Sequence, residues 1–332
     1  MKVGQREIAI SPSSLVSLMR RTGILPFLVA VLIAVFGGLN PKFVSALNMM
    51  VVLRQSSYLA IVAMGAMFPL IVSGLDLSSG ALISFSSIVG TMTMRGDLGG
   101  AYSDATMVSL GILAGLGTAL VVGLINGAIV ANFGVHPFVT TLGMLSILAG
   151  GSFLLSKGMA IFLLPPIFNQ ILGSGKVAGV PAPIIVAFAI AVGLYVMMNR
   201  TRMGRYFWAI GGNINAAVLS GVPIKRYIML AYVLASLLAG VTAMLIAARV
   251  GSGEPLLGRP LMLQGIAAAV LGGAAVGGGR GNIPGVFLGS FFISMLTNGM
   301  SLIEMGTFQQ SIAVGGFLIL AIVADRMLQK GQ

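Results

Sequence analysis

Cysteine is absent from all 332 residues, which removes disulfides, thiol chemistry and thiolate metal sites and leaves the redox compartment open. Charge is nearly as scarce. Only 8% of the residues are charged, where a soluble domain carries about 25%. Acidic residues number 7, and there is one histidine and one tryptophan. With 57% hydrophobic residues, this is the composition of an integral membrane protein. The net charge of +12 would point to nucleic acid in a soluble chain. Here the cations sit between apolar runs, aromatics are few and no basic stripe exists, so membrane topology accounts for the charge and nucleic acid is excluded.

Other absences narrow the function. The first 23 residues are polar and basic (Lys2, Arg6, Arg20, Arg21), with no apolar stretch or small-residue cleavage site, so they do not read as a removable signal peptide. No phosphate-binding loop occurs: Gly173-Ser174-Gly175-Lys176-Val177 lacks the first glycine and the final hydroxyl. Gly277-Gly278-Gly279-Arg280-Gly281 misses the dinucleotide spacing. His136, without cysteine or carboxylate neighbours and followed by Pro137, reads as a helix cap rather than a ligand. No catalytic constellation, cofactor site or metal site is expected, so energy for any transport comes from an ion gradient or from a partner that holds ATP.

What is present is a series of apolar runs near the ~20 residues that cross a bilayer as helix. They give an all-α, polytopic reading with about ten spans: Ile24–Leu39, Ser57–Ser73, Leu77–Met94, Thr106–Ala131, Pro137–Ser156, Pro183–Met198, Tyr227–Ala248, Leu261–Ala275, Pro284–Ile303 and Gln309–Val323. The count falls to nine if Leu261–Ala275 is re-entrant. With a cytoplasmic N-terminus, Lys2, Arg6, Arg20, Arg21, Arg200, Arg202, Arg205, Lys225, Arg226, Arg280, Arg326 and Lys330 face the cytoplasm. Lys42, Arg54, Arg95, Lys157, Lys176, Arg249 and Arg259 then face outward. The excess of basic residues inside puts both termini, including residues 1–23, in the cytoplasm.

Glycine is the abundant signal, with 47 residues, many within spans. Gly111, Gly115, Ala119, Gly123 and Gly127 place a small residue at every fourth position, and Gly285 and Gly289 repeat the spacing later. Such spacing lets helix backbones approach closely where lipid offers no hydrophobic drive for association. The glycine pairs in each half also suggest a duplicated architecture.

Polar residues within spans are few. Asp76, in Ser73-Gly74-Leu75-Asp76-Leu77-Ser78-Ser79-Gly80, is the one acidic residue near a span, and it reads as a cap at the membrane interface, with a gate or substrate contact as the alternative. Asn126, Thr140, Thr141, Gln264, Asn298 and Gln309 are neutral hydrogen-bonding groups that suit either interhelical bonds or a path for a neutral polar solute. The scarcity of titratable groups disfavours an ion-coupled secondary transporter, which stays open as the alternative, as does a scaffold without solute flux.

The most telling stretch runs from Asn199 to Ile228. Arg200, Arg202 and Arg205 precede Ala209-Ile210-Gly211-Gly212-Asn213. Asn213 can cap a helix of about two turns over Ile214–Ser220, which Gly221 and Pro223 end before Lys225 and Arg226. This is a capped helix outside the membrane, flanked by positive charge, within a cytoplasmic loop over residues 199–226.

In sequence, these segments resemble the permease subunits of bacterial ABC sugar importers of the ribose, xylose and galactose type. The resemblance is carried by Ser73–Gly80 and by Pro137-Phe138-Val139-Thr140-Thr141-Leu142-Gly143. It continues through Thr201-Arg202-Met203-Gly204-Arg205, the Ala209–Asn213 run and Ala216-Ala217 with Leu219-Ser220-Gly221. It ends at Ile266-Ala267-Ala268-Ala269-Val270-Leu271-Gly272-Gly273 with Gly278–Gly281. It implies an ABC importer permease fold working by alternating access, paired as a homodimer or with a second permease, in the bacterial inner membrane. Its implied partners are ABC ATP-binding subunits and a periplasmic sugar-binding protein. The resemblance makes Gly211 to Gly221 the coupling helix, with Arg202, Arg205, Lys225 and Arg226 orienting the loop. One departure stands out: relatives often carry acids where this chain has Met262 and Gln264.

Overall fold

The structure is a computed structural model that describes residues 25–96 and 103–330. The N-terminal segment assigned to the cytoplasm lies outside the described residues. Ten apolar or buried helices match the ten expected spans: α1 (Leu25–Leu39), α2 (Ala46–Ile71), α3 (Ser79–Arg95), α4 (Asp104–Phe133), α5 (Pro137–Ser156), α6 (Ala182–Arg200), α9 (Ile224–Val250), α10 (Arg259–Leu271), α11 (Ile283–Leu302) and α12 (Thr307–Lys330). Two further helices, α7 (Arg202–Gly212) and α8 (Ile214–Leu219), occupy the basic central stretch. The only strands among the described residues are the pair Lys176–Val177 and Val180–Pro181. Six helices (α2, α4, α5, α6, α9 and α11) are long and apolar enough to cross a membrane.

The largest departure from the sequence reading is α2, which starts at Ala46 rather than Ser57. Asn48, Arg54 and Gln55 hide its first turns from a hydropathy count. In the fold these turns are tied to α11: the Asn48 and Asn298 amides donate to each other at 2.9 and 3.1 Å.

Two spans are broken. At 1.5 Å per residue, α3 and α10 are about 26 and 20 Å long, short of the ~30 Å of a bilayer core. Each follows a non-helical stretch, residues 72–78 before α3 and residues 251–258 before α10. Call the end of the bundle bearing α7 and α8 proximal and the other distal. The first stretch turns back from the proximal end of α2, and the second returns from the distal end of α9. The two meet where α3 and α10 begin: a Cβ on Gly80 would lie 2.9 Å from both the Gly258 carbonyl oxygen and Met262 Cβ. The Gly258 amide donates to Ser84 Oγ at 3.0 Å, binding the second break to the first half-helix. Irregular backbone at this depth survives because protein surrounds it.

The breaks reveal a repeat. The run α2, α3, α4, α5 is matched by α9, α10, α11, α12 running in the opposite direction. Contacts obey the same exchange. Helix α2 packs on α9, α10 and α11, while α9 packs on α2, α3 and α4; α3 meets α5 as α10 meets α12. This is an inverted repeat of the kind found in transporters. The glycine pairs that hinted at it are not equivalent: Gly123 and Gly127 face α9, whereas Gly285 faces Gly272, just past the end of α10, and Gly289 faces Ala268 of α10.

The small-residue spacing in α4 does the packing expected of it. Gly111, Gly115, Ala119, Gly123 and Gly127 are all buried. A Cβ on Gly123 or Gly127 would come within 2.8 Å of the Val233 or Met229 Cα on α9. Gly127→Leu should therefore push α4 off α9 at a cost of about 1–3 kcal/mol or more. Gly117→Leu, where an added Cβ meets nothing within 4 Å, should be tolerated. Thermal melts of the two variants in detergent check this; equal midpoints would show that α4 and α9 do not need close approach.

Candidate functional site

At the proximal end the central stretch is more ordered than a loop. Helix α7 is amphipathic, burying Gly204, Phe207 and Ile210 and leaving Arg202 and Arg205 exposed. Phe207 anchors it, with ring centroids 5.5 Å from Phe68 at the end of α2 and 5.4 Å from Tyr227 at the start of α9. Tyr206 adds an edge contact to Tyr227 at 5.1 Å. Gly204 sits where any side chain would strike the Met198 carbonyl, which lets α7 fold back against the end of α6. Gly211 packs against the Ile71 carbonyl and Gly279. The Gly279 amide donates to Ile71 O at 2.9 Å, and Ser73 Oγ donates to Gly277 O at 3.0 Å.

This corrects one expectation. Gly211 and Gly212 end α7 and are not part of the exposed helix; Gly211 is a seam between α7, α2 and the 272–282 loop. The exposed helix is α8. Asn213 caps it as expected, its Oδ1 accepting the Ala216 amide at 3.0 Å. Ser220 is its C-cap, and Gly221, at φ +74°, lets the Val222 amide return to Ala217 O at 3.0 Å. Within α8 only Ala217 is buried. Leu219 is 89% exposed, with Ile214 and Val218 also exposed beside it. Lys225 and Arg226, at the start of α9, are exposed as well. The result is an apolar knob, capped at both ends, standing on a braced platform with basic residues around it.

The polar candidates fall into two groups. Asp76, Asn126 and Thr141 come together around the 72–78 break. Asp76 is not at an interface: it is 3% exposed. Nor does it cap α3. Its Oδ1 accepts the Ser78 amide at 2.8 Å and Ser78 Oγ at 2.6 Å, closing a turn just before the helix. Asn126 Nδ2 donates to the same Ser78 Oγ at 3.0 Å. Thr141 Oγ1 lies 2.9 Å from Pro137 O and 3.3 Å from Leu75 O. Thr140 is buried with its hydroxyl unpartnered, as are Asp76 Oδ2, Asn126 Oδ1, Tyr232 OH and Ser236 Oγ. Tyr232, whose hydroxyl lies against Gly74, was invisible to sequence reasoning, because a tyrosine in an apolar run looks like core.

Gln264 and Asn298 belong to a separate polar cavity of about 350 Å³ between α2, α10, α11 and α12. Gln309 is a cap, its Oε1 accepting the Gly306 amide at 2.9 Å. His136 is also a cap, Nδ1 accepting the Phe138 amide at 3.3 Å. Met262 lines a different crevice, with Gly80, Ser84 and Arg259. A larger crevice of about 690 Å³ between α2, α6 and α11 is lined by apolar groups such as Phe188 and Phe287 and offers nothing to a polar solute.

The Asp76 turn predicts a clear ranking. Asp76→Asn keeps an oxygen that can accept from Ser78, whereas Asp76→Ala leaves two buried donors unpaired, at about 1–3 kcal/mol. Melts in detergent should place the alanine variant well below the asparagine variant. Equal destabilisation would mean that the charge, and not the turn, is what the fold requires.

Comparison with known proteins places the chain. The family profile described as "Branched-chain amino acid transport system / permease component" matches residues 48–323. The D-allose transport system permease protein AlsC of Escherichia coli is 33% identical over 305 residues, 92% of this chain and 91% of that protein. The ribose import permease protein RbsC of Bacillus subtilis is 32% identical over 303 residues, 91% and 92% of the two chains. The L-arabinose ABC transporter permease protein AraH of Azospirillum brasilense is 31% identical over 315 residues, 93% and 88%. No solved structure gives a significant match. Matched by this profile over residues 48–323 and by these permeases along nearly its whole length, the chain belongs to this family of transport permease components.

Proposed function

We propose that the chain is the membrane permease subunit of an ATP-driven importer of a neutral monosaccharide. The observation that carries this is the near full-length similarity to permeases of allose, ribose and arabinose systems. The profile's description mentions branched-chain amino acids. The polar cavity favours the sugar: it is lined by amides and hydroxyls, without a charged side chain to hold a zwitterion. An ion-coupled carrier finds no support in these similarities, and its one acidic candidate, Asp76, is committed to the Ser78 turn.

In this reading the proximal end faces the cytoplasm, in keeping with the basic residues gathered there. Helix α8 is the coupling helix. Its exposed Leu219, Val218 and Ile214 enter a groove on an ATP-binding subunit, which binds the nucleotide this chain has no motif for. The bracing of α7 through Phe207 and Gly211 passes movement of that knob to α2, α9 and the loop before α11. A second permease chain pairs with the first, supported by the uncovered face of α5, where Gly143 and Gly150 meet nothing within 4 Å. A periplasmic binding protein delivers sugar at the distal end.

Leu219→Asp tests the coupling role with little risk to folding, since the side chain is almost fully exposed. Uptake of labelled ribose, allose or arabinose by cells carrying the complete system should fall at least tenfold. The ATP-binding subunit should no longer co-purify, while the amount of permease in the membrane is unchanged. Undiminished uptake would remove α8 from the coupling role, and wild-type uptake of none of the three sugars would overturn the substrate reading.

A further inference from the structure

The apolar crevice between α2, α6 and α11 is walled by two matched helix faces. On α6, Phe188, Ala191, Val192 and Tyr195 fall three and four residues apart and so share one face. On α11, Phe287, Leu288 and Phe291 repeat that spacing from Pro284. Leu53 of α2 is the third wall, and α6 leans chiefly on α2, which leaves the gap toward α11. None of the lining side chains is charged, and the Tyr195 hydroxyl is the one polar side-chain group among them. The crevice holds about 690 Å³ and opens on the outside of the bundle, where Phe188, Val192 and Tyr195 are exposed. From Phe188 to Tyr195 the α6 axis rises about 10 Å, and from Ile283 to Phe291 the α11 axis rises about 12 Å. One leaflet of a bilayer's hydrocarbon core is about 15 Å deep. The crevice therefore follows most of one leaflet, starting from the proximal side, where α6 ends and α11 begins.

The proximal mouth of the crevice supplies an independent observation. Tyr195 is the last lining residue on α6, and Asn199 continues the same face four residues on, its Nδ2 donating to Tyr195 O at 3.0 Å. Arg200 follows at the end of α6 and is exposed, and Arg202 and Arg205 stand exposed just beyond. None of these three arginines makes a hydrogen bond or ion pair within the chain among the described residues. From Asn199 to Ile228 there is no acidic residue to neutralise them. An arginine at a helix end lays its stem along apolar surface and keeps its guanidinium in the polar layer. A tyrosine there puts its ring in hydrocarbon and its hydroxyl among the headgroups. An apolar slot of leaflet depth, with a phenol and an unneutralised guanidinium at its mouth, complements an acyl chain that carries an anionic phosphate headgroup.

We propose that this crevice is a binding site for one anionic phospholipid of the proximal leaflet, with an acyl chain between α6 and α11 and the headgroup phosphate held by Arg200 and the Tyr195 hydroxyl. Hydrocarbon in the crevice completes the close packing that protein leaves unmade between the two helices. Helix α6 runs almost directly into α7, so the lipid steadies the helix from which the braced proximal platform starts. Three protein walls and a fixed cation set this position apart from the lipid that bathes the other faces. The site depends on the chain's crossing a bilayer and not on what the chain transports.

Native mass spectrometry of the full-length chain tests this, after extraction in mild detergent and addition of an equimolar mixture of phosphatidylglycerol and phosphatidylcholine with the same acyl chains. The wild type should retain one phospholipid per chain, with phosphatidylglycerol favoured at least threefold. Ala191→Trp and Val192→Trp fill the slot, and each should lower the lipid-bound fraction at least threefold. Val192 is the more exposed of the two, so its variant carries the test if Ala191→Trp fails to fold. Gly193→Leu, on another face of α6 where an added Cβ meets nothing within 4 Å, is the control and should retain lipid as the wild type does. Arg200→Gln should keep a lipid but lose the preference for phosphatidylglycerol. A wild type that retains no lipid or holds both lipids equally, or tryptophan variants that retain as much as the wild type, would overturn the site. A lipid-free dimer that the tryptophan variants dissociate would also overturn it, by putting a second copy of the chain in the crevice. An undiminished preference in Arg200→Gln would overturn the headgroup contact.

Discussion

Peptide groups cannot be left unpaired in lipid, and this chain interrupts two of its helices inside the bundle. Everything around those interruptions follows from the need to enclose them. The 72–78 break is closed by Asp76 accepting from Ser78, by Asn126 reaching Ser78 from α4 and by Thr141 reaching Leu75 from α5. The 251–258 break is pinned by the Gly258 amide on Ser84 and by the exchange of backbone bonds between Ile161 and Gly253. Glycine lines the approach of the two breaks because main chain lies against main chain there, with no room for a side chain at Gly80 or Gly258. The serine content of α3 has the same origin. Ser84, Ser87 and Thr91 bond back to their own helix or to the break, so a buried half-helix can be hydrophilic without facing water.

Two half-helices starting from opposite sides make the bundle symmetric in plan and unequal in detail. The distal copy of the four-helix unit holds an open, amide-lined cavity. The proximal copy holds buried hydroxyl, amide and carboxylate groups around the 72–78 break. The two copies therefore share their helix order and contacts but not their polar chemistry.

Sequence alone carried the count and order of the helices, since lipid-facing runs of α4, α5, α6, α9 and α11 declare themselves by length and apolarity. The capped α8 was legible to within a residue at each end through Asn213 and Gly221, because capping is local chemistry, although Gly211 and Gly212 proved to end α7 instead. What escaped was whatever depends on a distant partner. The first eleven residues of α2 were hidden by Asn48, Arg54 and Gln55; Asn48 answers to Asn298 on α11 and Gln55 to a cavity no local pattern describes. Asp76 reads as an interfacial cap until the fold buries it. Gln264 and Asn298 could be named as candidates but not joined, nor separated from Asn126 and Thr140. Helix α7 reads as loop in the sequence, since Arg202, Arg205 and three glycines mask an amphipathic face that shows only where Phe207 packs on Phe68 of α2.

The position of α8 completes the argument. A six-residue helix has almost no stability of its own, so it holds its shape through Asn213 at one end and the Gly221 turn at the other, with Ala217 seated on the bundle. Such an element cannot store much energy, and it is suited to transmit force. Its neighbours are α7, which is braced against the close of α2 and the loop before α11, and the start of α9 that carries Tyr232. On the coupling role proposed above, a push on Leu219 would therefore reach the seam where Gly211 meets the Ile71 carbonyl and Gly279, just before the 72–78 break.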